Sequence, residues 1–162
     1  MDLLEAKSRI AEALVESIFR RARYKITPFI QTTIPLRVGR EDFSPDFRVA
    51  RELEQGPPQE FLVEVKYRPA IEQYLSVESQ RGENSVFKMA RQKWPNLYFV
   101  FVTERPERGR SCFQVVSLQS HEVGAAFAAA DLADVEELGL FRHNVEDHEE
   151  LVRRIYALLS GA

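Results

Sequence analysis

The chain has 162 residues, 44% of them hydrophobic and 29% charged. That is long enough to bury a core as one domain, and too apolar for a disordered segment. The formal net charge of −3 is not the strongly basic profile of a dedicated DNA-binding module. It hides an asymmetry: residues 1–110 hold 19 Lys and Arg against 16 Asp and Glu, and residues 111–162 hold 3 against 9. The docking face for an anionic partner is therefore expected in the first part, and the acidic tail reads as a solvated or protein-contacting surface. No apolar run is long enough for a membrane span, and the acid-bearing N-terminus lacks the pattern of a signal peptide. A single cysteine, Cys112, cannot make an internal disulfide, which fits a reducing cytoplasm.

In chain order, residues 3–22 carry apolar side chains at helical spacing. The stretch KITPFIQTTIPLRV, residues 25–38, is β-branched and aromatic with two prolines, and predicts a strand near an edge. PDFRVAREL and EFLVEVKYR predict an antiparallel hairpin around the turn EQGPPQ. Residues 70–84 are consistent with a helix broken near Gly82. NSVFKMARQKW predicts a helix capped by Asn84 or Ser85, with Phe87, Ala90 and Trp94 on one face. NLYFVFVTE is the most apolar run and predicts a buried central strand; CFQVVSLQS predicts one more. From EVGAAFAAADLADVEELGLF to EDHEELVRRIYALLS the expectation is helix, with AAFAAADLA as helix packing. No repeat or low-complexity tract occurs.

The stretch FLVEVKYR, residues 61–68, carries the chemistry. Strand alternation puts Leu62, Glu64, Lys66 and Arg68 on one face and Phe61, Val63, Val65 and Tyr67 on the other. Pairing with the preceding strand brings Asp46 into the same region. Two carboxylates from neighbouring strands can hold Mg²⁺, a cation that prefers oxygen ligands and keeps several waters. Such a metal lowers the pKa of a bound water and neutralises charge developing on a phosphate. An adjacent lysine can orient the attacking water. Phosphodiester hydrolysis needs these roles and little covalent chemistry.

The PDF of residues 45–47, followed after a 16-residue gap by EVK at residues 64–66, resembles the PD-(D/E)XK nuclease superfamily, which includes restriction enzymes and Holliday-junction resolvases. The order helix, three strands, helix, strand is similar to that family's αβββαβ core. The resemblance covers roughly residues 8–104 and implies an α/β, restriction-endonuclease-like domain with a mixed sheet. An extra strand and C-terminal helices in residues 105–162 have no counterpart in it. It implies that Asp46, Glu64 and the backbone carbonyl of Val65 hold Mg²⁺ or Mn²⁺ and that Lys66 positions the water. The family's further glutamate on the first helix would be Glu12 or Glu16; the spacing to Tyr24 favours Glu12, for a second metal or an outer-shell water. The polar residue many members carry on the next helix would be Gln92 or Lys88.

Bland readings accompany the sharp one. Glu64 and Lys66 also suit an exposed same-face ion pair, and Glu12 an ordinary surface glutamate. RRARYK, with Arg20, Arg21 and Arg23, and KMARQK, with Lys88 and Gln92, read equally as phosphate contacts or as solvated helix ends. His143 and His148 read as a polar loop and Cys112 as a buried small side chain. The expected function is metal-dependent hydrolysis of a nucleic acid, DNA first, with homodimer pairing through the acidic C-terminus. The alternatives are a catalytically idle nucleic-acid-binding or assembly module on the same fold, or a subunit to which a partner delivers substrate.

Overall fold

In a computed structural model of the chain, the described residues are 2–29, 36–38, 41–117 and 127–161, with 36–38, 41–43 and 117 described by backbone alone. Helix α1 (Leu3–Arg21) begins where the Asp2 carboxylate accepts the Glu5 N–H at 2.7 Å. Its apolar stripe of Ala11, Leu14, Val15, Ile18 and Phe19 is buried. The helix ends in a turn in which Arg23 takes a left-handed φ of 71° and the Tyr24 N–H returns to the Phe19 carbonyl.

Strand β1 (Lys25–Pro28) lies at a sheet edge, where a proline costs no ladder bond. The rest of the predicted 25–38 strand does not continue it. Residues 30–35 lie outside the described residues, and β2 (Leu36–Val38) pairs with β3 (Glu41–Phe43) in a separate two-stranded sheet. The main sheet has six strands, in the order β1, β4 (Phe47–Arg51), β5 (Gln59–Tyr67), β6 (Leu97–Val102), β7 (Phe113–Ser117) and β8 (Ala128–Asp131). It is mixed: β5 and β6 run parallel, and the other neighbouring pairs are antiparallel. A parallel pair needs a long crossover, supplied by α2 (Ile71–Gln80), a 3₁₀ turn at Gly82–Asn84 and α3 (Val86–Lys93). The break near Gly82 falls where expected, at a left-handed φ of 56°. Ser85 is the cap of α3, its hydroxyl accepting the Phe87 N–H.

Both sheet faces are covered, which is why β5 and β6 are apolar on both sides. Helices α1 and α4 (Arg142–Gly161) cover Val63, Val65, Val100 and Val102; α2 and α3 cover Leu62, Phe99 and Phe101. Among the described residues no helix is long and apolar enough to cross a membrane.

The C-terminal third departs from expectation. Residues 118–126, which hold the end of the predicted CFQVVSLQS strand and the start of the predicted helix, lie outside the described residues. The alanine run beyond them is strand β8, not helix. Alanine is the strongest helix former, but propensity is a weak prior that tertiary context overrides, and here pairing with β7 and the anchoring of Asp131 to the Ser111 N–H and Arg110 prevail. Two 3₁₀ turns, Leu132–Asp134 and Glu136–Leu138, replace the rest of that helix. His143 and His148 lie in α4, not in a loop. His148 is buried; its Nδ1–H donates to the Asn144 carbonyl at 2.6 Å, which leaves Nε2 to accept from the Ser17 hydroxyl at 2.8 Å. One face of the acidic helix is thus pinned to α1. Cys112 is buried, as expected.

Candidate functional site

Strands β4 and β5 separate at Asp46. The last backbone bond between them there runs from the Asp46 N–H to the Val63 carbonyl, at 2.9 Å. The ladder between the strands ends at Phe47 opposite Val63, and the Val65 N–H, two residues further along β5, lies beyond it. The Asp46 carboxylate takes it at 2.7 Å. These two bonds bracket Glu64. In an extended strand the N–H and C=O of one residue point to the same edge, so the Val65 carbonyl faces the side on which Asp46 sits. Asp46 and Glu64 thereby come together from two strands, and the Val65 carbonyl lies on the edge of β5 that faces Asp46. Lys66 joins them on the Glu64 face, its Nζ 3.5 Å from Glu64 Oε1.

Helix α1 contributes the fourth group. It packs across β5, with Ala11 and Val15 against the sheet, and the next position along it, Glu12, meets Asp46. The two carboxyls are coupled by charge and by a side-chain hydrogen bond. Glu16, the other candidate on that helix, is instead engaged by Arg20 at 2.7 Å on the surface.

The electrostatics of the four groups are strained. Burial first, and the negative charge of Asp46 next, push the Glu64 carboxyl well above the usual carboxylate range, against the pull of Lys66. Burial also raises Asp46, opposed by the Val65 N–H and then by the neighbouring Glu64 and Lys66. Glu12 is pushed up to about 7, by burial first and by Asp46 second, with Arg9 opposing. Burial is the largest cause at all three, and at Glu12 and Glu64 the charge of Asp46 adds to it. Glu64 Oε2, moreover, is buried without a hydrogen-bond partner. Buried polar atoms are nearly always paired. An orphaned carboxylate oxygen beside a second carboxylate and a free-facing carbonyl is the donor set of a hard cation. Among the described residues no group of three His, Cys, Asp or Glu side chains stands in ligating geometry. The set on offer is two carboxylates and a backbone carbonyl, with Glu12 one step outside it.

The remaining sequence candidates lie apart. Lys25 is opposite Ala50 and Ala50 opposite Glu60. Arg20, Arg21 and Arg23, just before Lys25, therefore sit toward the Glu60 level of β5, four residues from Glu64, or about 13 Å along the strand. Lys88 is held by Glu83 at 3.0 Å, and Gln92 is exposed near the end of α3. One cluster was not singled out from the sequence. Lys7, Tyr67 and Glu104 close the far end of β5, with Lys7 Nζ 3.0 Å from Glu104 and the Tyr67 hydroxyl donating to Glu104 at 2.7 Å. Its signal was present: Lys7 falls one turn before Ala11, on the stripe of α1 that the periodicity buries. Comparison with protein-family models, curated proteins and solved structures yields no match.

Proposed function

We propose that the chain is a divalent-metal-dependent nuclease built on a PD-(D/E)XK core, acting on nucleic-acid phosphodiesters, DNA first. The observation that carries this reading is the orphaned, buried Glu64 Oε2 among raised carboxyls, beside Lys66. Stability alone gives no reason to bury like charges together. The element order supports it: α1, then the antiparallel β1, β4 and β5, then a helical crossover into the parallel β6. In this reading the β2–β3 pair and everything after β6 are additions to the core.

Asp46, Glu64 and the Val65 carbonyl would hold the cation, which supplies a water of lowered pKa and neutralises charge on the phosphate. The chain's own residues do the rest. Asp46 is fixed by the Val65 N–H, so the acid is preorganised. Lys66 orients the attacking water and adds positive charge near the developing negative charge. Glu12, at about 7, stands where a proton can be held or passed near neutral pH. Arg20, Arg21, Arg23, Lys88 and Gln92 are phosphate contacts at the periphery, and a homodimer paired through the acidic C-terminus belongs to the same reading.

The test is incubation of the purified chain with labelled single-stranded, duplex and branched DNA and RNA, with Mg²⁺, Mn²⁺ or EDTA. Cleavage with metal, absent in EDTA and in Asp46→Asn, is expected. Binding without cleavage under every condition would replace the enzyme with an idle binding module.

A further inference from the structure

Beyond Lys66, the functional face of β5 continues to Arg68, the next residue on the same side and about 6.6 Å further along. Its guanidinium is fixed twice. Nη1 donates to the Tyr67 carbonyl at 2.7 Å, and Cζ lies over the Tyr74 ring, 4.6 Å from the centroid. Tyr74 is in turn packed against Phe87 and Phe101 of the core. The guanidinium thus rests on a tyrosine that the core rings hold in place, Phe87 edge-on at 69° and Phe101 tilted at 53°. Arg68 and Tyr74 form part of a cavity of about 290 Å³, whose other lining residues are Pro69, Ala70, Gln73 and Val77. Gln73, Tyr74 and Val77 share one face of α2 by their spacing, with Ala70 at its N-cap. Pro69 and Val77 are apolar walls, and Gln73 brings an amide able to donate and accept.

We propose that this cavity is a nucleotide subsite, in which an unpaired base next to the scissile phosphate stacks on the Arg68 guanidinium. The proposal rests on the nuclease reading and specifies its substrate: a single strand, or a frayed or flapped end, in preference to a fully paired duplex. A base can lie on a guanidinium plane only after leaving its own stack, and side chains of this kind recognise unstacked bases. The chain's net charge of −3, with only a slight basic excess in residues 1–110, fits such a substrate. Affinity drawn from stacking needs fewer phosphate contacts than affinity for duplex. Arginine is required for this, because lysine keeps the charge and lacks the plane.

Fluorescence anisotropy tests it, with one labelled DNA strand, alone and annealed to its complement in a blunt duplex, in EDTA. Wild type is expected to bind the single strand more tightly. Arg68→Ala and Arg68→Lys should each weaken single-strand binding roughly tenfold, leaving duplex binding unchanged. Tyr74→Leu should do the same; since Tyr74 also packs on the core, Tyr74→Phe, which keeps the ring, should bind as wild type, and melting curves confirm that each variant folds. Single-strand binding unchanged in Arg68→Lys, or a wild-type preference for duplex, overturns the subsite. Loss of single-strand binding in both Arg68 variants, with no cleavage by wild type in Mg²⁺ or Mn²⁺, keeps the subsite and removes the nuclease. Binding of neither probe by wild type removes both.

Discussion

Strand β5 carries two buried charge clusters, one near each end of its C-terminal half, and they are built on opposite terms. At Tyr67, Lys7 and Glu104 are paired at 3.0 Å, the tyrosine hydroxyl donates to the same carboxylate, and the ammonium also faces the Tyr67 and Tyr156 rings. Burial by itself would raise Glu104; the Tyr67 hydroxyl and the Lys7 ammonium more than reverse it and hold the carboxyl below its ordinary value. Two to three residues away, Asp46, Glu64 and Glu12 are all raised, and one oxygen of Glu64 is unpaired. The same strand thus shows what a closed, structural charge cluster looks like beside an open one. Satisfied charges tie elements together; unsatisfied ones are kept at a cost to the fold.

The comparison breaks most visibly in cleavage. Asp46→Asn and Glu64→Gln should abolish metal-dependent cleavage, and Lys66→Ala should lower kcat by about 10²- to 10³-fold. Glu104→Gln should leave kcat of the folded protein near wild type. A gel assay with labelled DNA reads all four; activity retained in Glu64→Gln would mean that the open cluster is not the active site.

Stability should invert that order. Removing one partner of the closed pair, in Lys7→Met or Glu104→Gln, leaves a buried charge uncompensated and should cost about 3 kcal/mol. At about 2–4 °C per kcal/mol for a chain of this size, that is a readily measured fall in Tm. In EDTA, Asp46→Asn and Glu64→Gln should melt at or slightly above wild type, because each removes a like-charge repulsion. Acid variants that melt well below wild type would turn the open cluster into a second structural pair.

Metal sharpens the contrast further. A ligand that binds only the native state stabilises it by mass action, about 2.7 kcal/mol at a concentration 100 times Kd. Wild type and Lys66→Ala should therefore gain Tm with Mn²⁺, whereas Asp46→Asn and Glu64→Gln should lose most of the gain. Glu104→Gln, starting lower, should gain as much as wild type. Equal gains in all variants would place the metal elsewhere.

Much of this was legible because it is local. Strand period alone puts Glu64, Lys66 and Arg68 on one face, and helix period alone puts Lys7 on the buried stripe of α1. What was not legible depends on partners distant in sequence. Ala128–Ala130 form a strand because β7 offers an edge, and no window around the alanines contains that fact. His148 reads as polar loop until Ser17, 131 residues earlier, is beside it. Spacing to Tyr24 favoured Glu12 over Glu16; that Glu12 meets Asp46, and that Arg20 engages Glu16, depends on how α1 docks.

The smallest expected effect is the pH dependence of stability, and it separates the two clusters by sign. A carboxyl whose folded pKa is raised binds its proton more tightly in the native state. Its contribution is full below the unfolded value and is lost as pH rises through the folded one. For Glu12 that window runs from its ordinary 4.5 to about 7, and Glu64, raised in the same direction, adds to it. In EDTA the wild type should therefore lose stability between about pH 4.5 and 7. Glu12→Gln should flatten part of that fall and Glu64→Gln a larger part. Glu104 works the other way: with its folded pKa lowered, its contribution is present above 4.5 and is lost as pH falls below it, so Glu104→Gln should flatten the acid limb alone. Saturating Mn²⁺ should reverse the slope in the upper window, since binding favours the ionised carboxylates and releases their protons. Thermal melts across the range, with and without metal, read each limb. A wild type that gains stability from pH 4.5 to 7 in EDTA would show that the site carboxyls ionise freely, and the contrast between the two ends of β5 would be lost.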